Sequence, residues 1–550
     1  MSFSSAFIRR LNEARTLVAQ NRFSEAERLY QELLSVKEGS EGLLREQFHL
    51  YMQWKRPVEA LRCLKSLAQA VPDRPEYWLH LAELAKSFDK LEIAINAYYK
   101  FLRVIPDRPN TIFNLAHLLK QAGYLEEALE KYCEALEKNI SGQEEVYTNI
   151  GVIYSELRSE EKAREYFEKA IEINCEYVPS LVNLAGILEE EGERNAASNY
   201  YKKVLEIDDS CYLALCRLAY LKKAKSESDP LVKRISSLVV RKDLSSGDLE
   251  ELNFALGKLL DDCGSYDKAF SRFRHANEMG ARRFISYDKF LHEKLVDELI
   301  GTFSQEWFFS ALSKLPTAPV FICGMFRSGS TLLEQILSAH PRVVAGGELE
   351  FFPDLVDSLR DRYPQGLAKE GQKYFERIGR KYLAYLEKRF SSKSLVTDKR
   401  PDNFLHVGLI KSVLPKSRII WTRRSLLNNC LSVYFQQMGG GMNYSVDLDS
   451  IGHYYVEQVR LMEHWKTLFP DSIFEIEYEK LVADPEPEIR RLLNFLRLPW
   501  DPACLNFSTQ KTYVKTASIW QVRESIHQRS TDRHKNYGAY LKVLEKYLLR

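Results

Sequence analysis

The chain has 550 residues, more than one hydrophobic core usually organises, so several domains or a repeat array are expected. Its 45% apolar and 28% charged residues are those of an ordinary globular chain and exclude collagen-like, coiled-coil and wholly disordered classes. Lysine plus arginine number 78 against 76 aspartates and glutamates; a net charge of +2 supplies no global field for nucleic acid or an anionic membrane, so any anion site must be local.

The opening, MSFSSAFIRRLNEAR, brings in charge before any apolar stretch is built, and nowhere do about 18 apolar residues run together. Neither a signal peptide nor a membrane span is expected. Nine cysteines without a C-x-x-C pair favour a reducing, cytoplasmic placement and no structural zinc.

From there an alanine recurs at Ala26, Ala60, Ala94, Ala128, Ala163 and Ala197, in steps of 34, 34, 34, 35 and 34. Twelve residues before the later members stand Ala82, Ala116, Gly151 and Ala185; four residues after them stand Tyr98, Tyr132, Phe167 and Tyr201. Small residues let paired helices approach, and the aromatic fills the gap to the next pair, so no repeat buries its face alone. The pattern resembles tetratricopeptide repeats, which implies an α-solenoid over 1–247. The phase returns at Gly257, Ala269, Phe273 and Ala276, after an irregular stretch near Lys222 to Asp229, and predicts a final helix pair at 248–284 and a helical connector at 285–315. These residues read as packing. The groove of such a stack suits an extended polypeptide, so binding of a protein or peptide partner, or self-association, is the expected use, with a rigid spacer as the alternative.

Beyond Pro316 the period vanishes, and short apolar runs followed by turns and helical stretches predict an α/β domain with a parallel sheet over 316–550. Pro319–Cys323 reads as a buried strand, Gly324–Thr331 as a tight loop, and Leu332–Leu337 as a helix. Backbone N–H groups, the helix dipole and two hydroxyls facing outward would hold a phosphate-like group there. Gly324 and Gly329 keep the spacing of GxxxxGK[ST], but Ser330 replaces the lysine that reaches β/γ-phosphates, and Arg327 offers a positive group from within the loop.

The run Phe326-Arg327-Ser328-Gly329-Ser330-Thr331-Leu332-Leu333, then Ala339-His340-Pro341 and Gly347-Glu348, resembles the 5′-phosphosulfate loop of sulfotransferases, in particular tyrosylprotein sulfotransferase-like enzymes. The resemblance implies a P-loop-like fold, the nucleotide co-substrate 3′-phosphoadenylyl sulfate (PAPS), no metal, and transfer of a sulfuryl group to a hydroxyl, with protein tyrosine as the leading acceptor and a glycan or small-molecule hydroxyl as alternatives. It implies donor contacts from Arg327, Ser328, Gly329, Ser330 and Thr331. By the same resemblance Glu348 matches the general base, Lys399 the lysine that steadies the transferring group, Arg424 and Ser432 the 3′-phosphate site, and Tyr478 a nucleotide-site tyrosine.

Ser425-Leu426 stand where the family usually has Asp-Pro, which keeps Arg423 as a contender for the 3′-phosphate. Lys515-Thr516-Ala517-Ser518 with Gln521-Val522-Arg523 resembles a late segment lying over the donor. A helix-start capping role for Glu348, a surface role for Lys399 and salt bridging for the arginines are the plain alternatives. The eleven histidines form no metal-type motif such as H-E-x-x-H, and His340 reads as a cap. Two rival functions remain: an ATP-dependent kinase, with Asp398 posing as a magnesium ligand, and a scaffold that has lost turnover.

Overall fold

The alanine phase marks the second helix of each pair. Ala26, Ala60, Ala94, Ala128, Ala163 and Ala197 are fully buried on the helices Phe23–Val36, Pro57–Ala70, Leu91–Val104, Leu125–Glu137, Glu160–Ile173 and Arg194–Ile207. The computed structural model describes residues 2–283, 285–304, 312–316, 319–390, 395–439, 441–507, 520–523 and 531–548. Within the pairs, small and aromatic positions interlock: a Cβ on Gly151 would lie 2.6 Å from the Phe167 ring, and one on Gly257 would lie 2.9 Å from the Phe273 ring. Both contacts are closer than van der Waals packing allows, so glycine is the residue that lets the aromatic in. A second phase was not visible in the sequence. Asn21, Lys55, Asp89, Gly123, Arg158 and Gly192, with positive φ, each close the turn between the two helices of a pair, again in steps of 34, 34, 34, 35 and 34.

The chain divides into two compact units, Met1–Ile187 and Leu188–Arg550. The limits expected at 247, 284 and 315 follow sequence pattern, whereas compactness cuts earlier, because the later helices share a core with the sheet. Leu215, Phe273 and Trp421 belong to one buried cluster. Within the second unit the period breaks where Tyr212–Leu221 ends after 10 residues. A turn at 222–229 leads into the short helix Pro230–Leu238, which starts on Pro230 and is capped by the Asp229 carboxylate accepting from Leu231 N at 2.9 Å. The last pair, Ser246–Asp262 and Tyr266–Ala281, restores it. Phe273 of this pair stacks on Phe435 at 3.9 Å between ring centroids, and Asn277 Nδ2 donates to the Tyr434 carbonyl at 2.8 Å.

The sheet has five parallel strands: β1 Val320–Gly324, β2 Val343–Ala345, β3 Leu395–Lys399, β4 Arg418–Arg423 and β5 Ile473–Glu477, in the order β2-β3-β1-β4-β5. Strands buried on both faces need apolar residues at consecutive positions, and here they do. Phe321, Cys323, Ile419 and Trp421 enter one core, while Val320, Ile322, Ile420 and Ile476 enter the other with Leu333, Ile336 and Leu337. Since all five strands run the same way, the loops that follow them gather at one edge, where open α/β sheets bind ligands. No helix among the described residues is long and apolar enough to cross a membrane.

Candidate active site

Every sequence-predicted site residue lies at or just beyond the carboxyl end of a strand or on the helix that follows. After β1 the chain turns at Gly324, with φ +149°, where a Cβ would overlap the Thr422 carbonyl oxygen of β4. Arg327 has φ +67°, a left-handed conformation that costs a residue with a Cβ about 1–3 kcal/mol. Gly329, at φ +102°, ends the loop and opens the helix Ser330–Ser338; a Cβ there would come within 2.6 Å of the Tyr478 ring. A bare backbone surface is thus framed by Tyr478 at the start of a helix dipole.

The hydroxyls lie lower than the sequence suggests. Thr422 Oγ1 donates to the Cys323 carbonyl at 3.1 Å, so Ser328 Oγ is the donor in its 2.6 Å bond to Thr422. Ser328 is 1% exposed and faces the sheet, and Ser330 and Thr331 are 4% and 8% exposed at the start of the helix. Buried hydroxyls take the bonds nearest to them, and for Ser328 that bond is to the neighbouring strand.

Guanidinium groups define the electrostatics. Arg327 Nε donates to Ser432 Oγ at 3.2 Å on the helix Leu426–Tyr434, and Arg424 Nη1 donates to the Arg327 carbonyl at 3.2 Å. The Arg424 guanidinium stacks over the Tyr478 ring at 4.7 Å, and the Arg424 carbonyl accepts from Tyr455 OH at 2.7 Å. Burial, with Arg424 and Arg533 close by, brings the Arg327 pKa down to about 10. Burial also lowers that of Arg424. Cations gathered until each disfavours the next form a ready site for an anion. Arg423 points elsewhere: it pairs with Glu475 at 2.9 Å and lies over the Trp421 ring.

Glu348 and Lys399 are brought together by the sheet itself. Gly346 N donates to the Thr397 carbonyl at 3.0 Å and Lys399 N to the Gly347 carbonyl at 2.9 Å, which continues the β2–β3 ladder past the end of β2. Gly347, at φ +66°, then turns the chain so that the Glu348 carboxylate meets Lys399 Nζ at 2.6 Å. Lys399 is 1% exposed and Glu348 36%, so the pair has one buried member and one that faces the open edge. The helix that follows, Phe351–Leu359, begins after Glu350.

Two residues that the sequence did not single out complete this geometry. Glu334, on the loop helix and 4% exposed, accepts from Gly347 N at 3.0 Å and from Thr397 Oγ1 at 2.8 Å, and so ties the anion loop to the turn that carries Glu348. Arg533, held by Asp261 of the last helix pair at 2.6 Å, adds a third cation beside Arg327 and Arg424. No motif spacing could have revealed either. His340 bridges the turn after the loop helix, accepting from Arg342 N at 3.1 Å and lying 3.1 Å from the Pro499 carbonyl. The stretch Lys515–Ser518 and the Gln521 side chain lie outside the described residues. Arg523 Nη2 donates to the Glu190 carbonyl, and Val522 is buried. One group with metal-ligand geometry is present among the described residues, Glu293, His453 and Glu457, and its carboxylates already serve His453 at 2.8 Å and Arg460 at 2.6 Å.

Asp398 lies just before Lys399 but on the other face of β3, 1% exposed, with Tyr382 OH at 2.8 Å and Asn403 Nδ2 at 3.1 Å. Burial pushes its pKa up to about 7, against the hydrogen bonds that lower it. A carboxyl whose folded pKa is raised makes the folded state bind more protons, so its contribution falls as pH rises from the unfolded value near 4 and is fully unfavourable above the folded one. Asp398→Asn lacks this dependence. Its Tm is expected to gain on the wild type by several degrees between pH 5 and pH 8, as read by thermal denaturation; a constant difference would contradict the raised pKa.

Residues 319–502 match the family model described as "Sulfotransferase family", and 144–174 and 178–211 match that of the tetratricopeptide repeat. The second unit contains a sulfotransferase-family domain. The chain is 34% identical over 307 residues to a protein of Aquifex aeolicus (strain VF5) named only as uncharacterized, covering 52% of this chain and 40% of that one. It is 27% identical over 191 residues to a Caenorhabditis briggsae protein named "Putative protein-tyrosine sulfotransferase", covering 34% of this chain and 68% of that one. The solved "Sulfotransferase Domain from the Synechococcus PCC 7002 Olefin Synthase" superposes with a TM-score of 0.32 at 21% identity, over 41% of this chain and 90% of its own. The matched span contains Arg327, Glu348, Lys399, Arg424, Ser432 and Tyr478, whereas Arg533 and Asp261 lie outside it.

Proposed function

We propose that the chain is a PAPS-dependent sulfotransferase acting on a hydroxyl acceptor, foremost a tyrosine side chain in protein. The observation that carries this reading is the Glu348–Lys399 pair, 2.6 Å apart on adjacent strand ends beside a loop lined by clustered arginines. The residues fit such a donor. Gly329 leaves the space under Tyr478 that a Cβ would fill, and Arg424 and Arg533 lie close enough to Arg327 to lower its pKa, a clustering of positive charge that suits an anion. When bound, PAPS supplies the sulfuryl group and departs as the 3′,5′-bisphosphate. Glu348 takes the acceptor proton at its carboxylate, and Lys399 and Arg327 stabilise the negative charge spread over the transferring group. Arg424 and Ser432 bind the 3′-phosphate, Arg327 with the Gly329–Thr331 backbone binds the other phosphate end, and Tyr478 flanks the loop.

The kinase alternative asks Asp398 to reach magnesium, yet this carboxyl is enclosed by Tyr382 and Asn403. The tyrosine acceptor rests on likeness to the Caenorhabditis briggsae protein and its printed name. A cytoplasmic placement belongs to the same reading, and nine free cysteines support it. The test is thermal shift with PAP, AMP and ATP-Mg in parallel, followed by PAPS-dependent transfer in EDTA. PAP should stabilise most and transfer should survive chelation; stabilisation by ATP-Mg alone with metal-dependent turnover would replace this reading with the kinase.

Glu334 is a positioning residue in this scheme. Glu334→Ala strips the partner from the buried Thr397 hydroxyl, which costs about 1–3 kcal/mol, and from the half-buried Gly347 N–H, and frees the turn that holds Glu348. We expect kcat to fall about 10-fold with PAP affinity unchanged, and Glu334→Gln, which can still accept both bonds, to restore most of it. Equal losses in both variants would show that charge, not placement, is what Glu334 provides.

A further inference from the structure

Where the repeat period breaks, the short helix Pro230–Leu238 replaces the full-length second helix that a regular pair would have. The consequence is an open groove of about 670 Å³ between Arg194–Ile207, Tyr212–Leu221 and Pro230–Leu238. Its floor includes Leu205, Leu218 and Leu231, each partly exposed. Four cations, Arg194, Lys202, Lys222 and Arg234, line it against one carboxylate, Glu206, in a chain whose total charge is only +2.

Two of those cations have carboxylate neighbours: Lys222 meets Asp229 at 2.6 Å, and Arg234 lies 3.8 Å from Asp209, whose side chain is 88% exposed. The Arg234–Asp209 pair, this exposed, is worth about 0–1 kcal/mol and exchanges readily for a better partner, whereas Asp229, 14% exposed, stays with Lys222 and its helix cap. Arg194 stacks over the Trp520 ring at 4.6 Å, and the adjoining turn Gln521–Arg523 touches the helix Ser330–Ser338 that leaves the anion loop. The groove is thus joined through a short piece of chain to the helix at the centre of the sulfotransferase site.

We propose that this groove docks an acidic, leucine-containing segment of the acceptor polypeptide, apolar side chains on the leucine floor and carboxylates toward Lys202, Arg194 and Arg234. The acceptor part of the assignment rests on the sulfotransferase reading; the docking part does not. Charge complementarity selects the ligand: the apolar floor disfavours a free nucleotide, and the cationic rim disfavours a basic or neutral peptide.

The test uses the full chain without nucleotide and a fluorescein-labelled synthetic peptide repeating Glu-Glu-Leu, read by fluorescence anisotropy. Saturable binding is expected, weakened at least about 10-fold when glutamine replaces glutamate in the peptide and again in Lys202→Glu and Arg234→Glu, both at the surface and remote from any core role. Equal binding of a Lys-Lys-Leu peptide, or undiminished binding by both variants, would overturn the docking site. So would phosphatidylserine vesicles that bind through the same two residues while the peptide does not. A tyrosine-bearing version of the peptide then tests the acceptor: KM should rise in Lys202→Glu with kcat unchanged. An unaltered KM overturns the acceptor assignment, whereas loss of PAP binding in the wild type would strike the donor reading and leave the anisotropy result standing.

Discussion

Glu348→Gln should lower turnover by about 10²–10⁴ while PAP affinity stays nearly constant, because losing a general base affects proton transfer far more than donor binding. The geometry adds a second expectation. Lys399 is 1% exposed and its ammonium sits 2.6 Å from the Glu348 carboxylate, so the amide leaves a buried cation facing a neutral dipole. Breaking a buried pair from one side is costly, by up to about 3–5 kcal/mol where both members are enclosed, and less here because Glu348 faces the open edge. A lower Tm should therefore accompany the loss of turnover, and Lys399→Met, Glu348→Gln together should be less unstable than the sum of the two changes. Steady-state kinetics with PAPS, calorimetry with PAP and a melting curve separate the contributions. Turnover close to wild type with only the Tm reduced would make Glu348 the counter-ion of Lys399 and nothing more.

The next largest effect is expected at Arg424. Arg424→Ala should weaken PAP by about 10–100-fold and leave AMP within a few-fold, since a charge-assisted bond to the 3′-phosphate is worth roughly 1.5–3 kcal/mol and AMP lacks that group. The neighbouring arginine makes a built-in control. Arg423 is engaged by Glu475 at 2.9 Å and by the Trp421 ring, so Arg423→Ala should cost stability before it costs nucleotide selectivity. Arg424 also donates to the Arg327 carbonyl, where the backbone is left-handed; Arg424→Lys, which keeps a charge but not the planar fork, tells a loss of phosphate binding from a slackened loop. Equal weakening of PAP and AMP in the alanine variant would remove the 3′-phosphate from Arg424, and selective loss in Arg423→Ala would move it one residue back.

What could be read from the sequence was whatever residue identity itself encodes. Alanine, glycine and aromatic positions of the array are fixed by close packing, and their phase survives in the residue names; Gly151 faces Phe167 as Gly257 faces Phe273. The left-handed turns that share the period were not legible, because Asn21, Lys55, Asp89, Gly123, Arg158 and Gly192 adopt the same φ sign with five different residue types. Among the proposed site residues, Arg327, Glu348, Lys399, Arg424, Ser432 and Tyr478 follow strand-end motifs, and the fold gathers them at the carboxyl edge of the sheet. Asp261 and Arg533 meet across 272 residues, a pairing that only the folded chain makes, and Glu334 looks like any glutamate on a helix until its bonds to Gly347 and Thr397 are drawn. The inward turn of Ser328 was hidden for the same reason: Thr422, its partner, is 94 residues away.

The stacking of Phe273 on Phe435 and the bond from Arg533 to Asp261 bear on how such a chain can be recombined. A graft joined upstream of Ser246 leaves these contacts whole. A junction placed after Ala281 instead strips a ring from Phe435 and the counter-ion from Arg533. Natural shuffling and laboratory chimeras alike should therefore inherit the last helix pair together with the sheet, as though it were the first element of the enzyme rather than the final repeat of its neighbour.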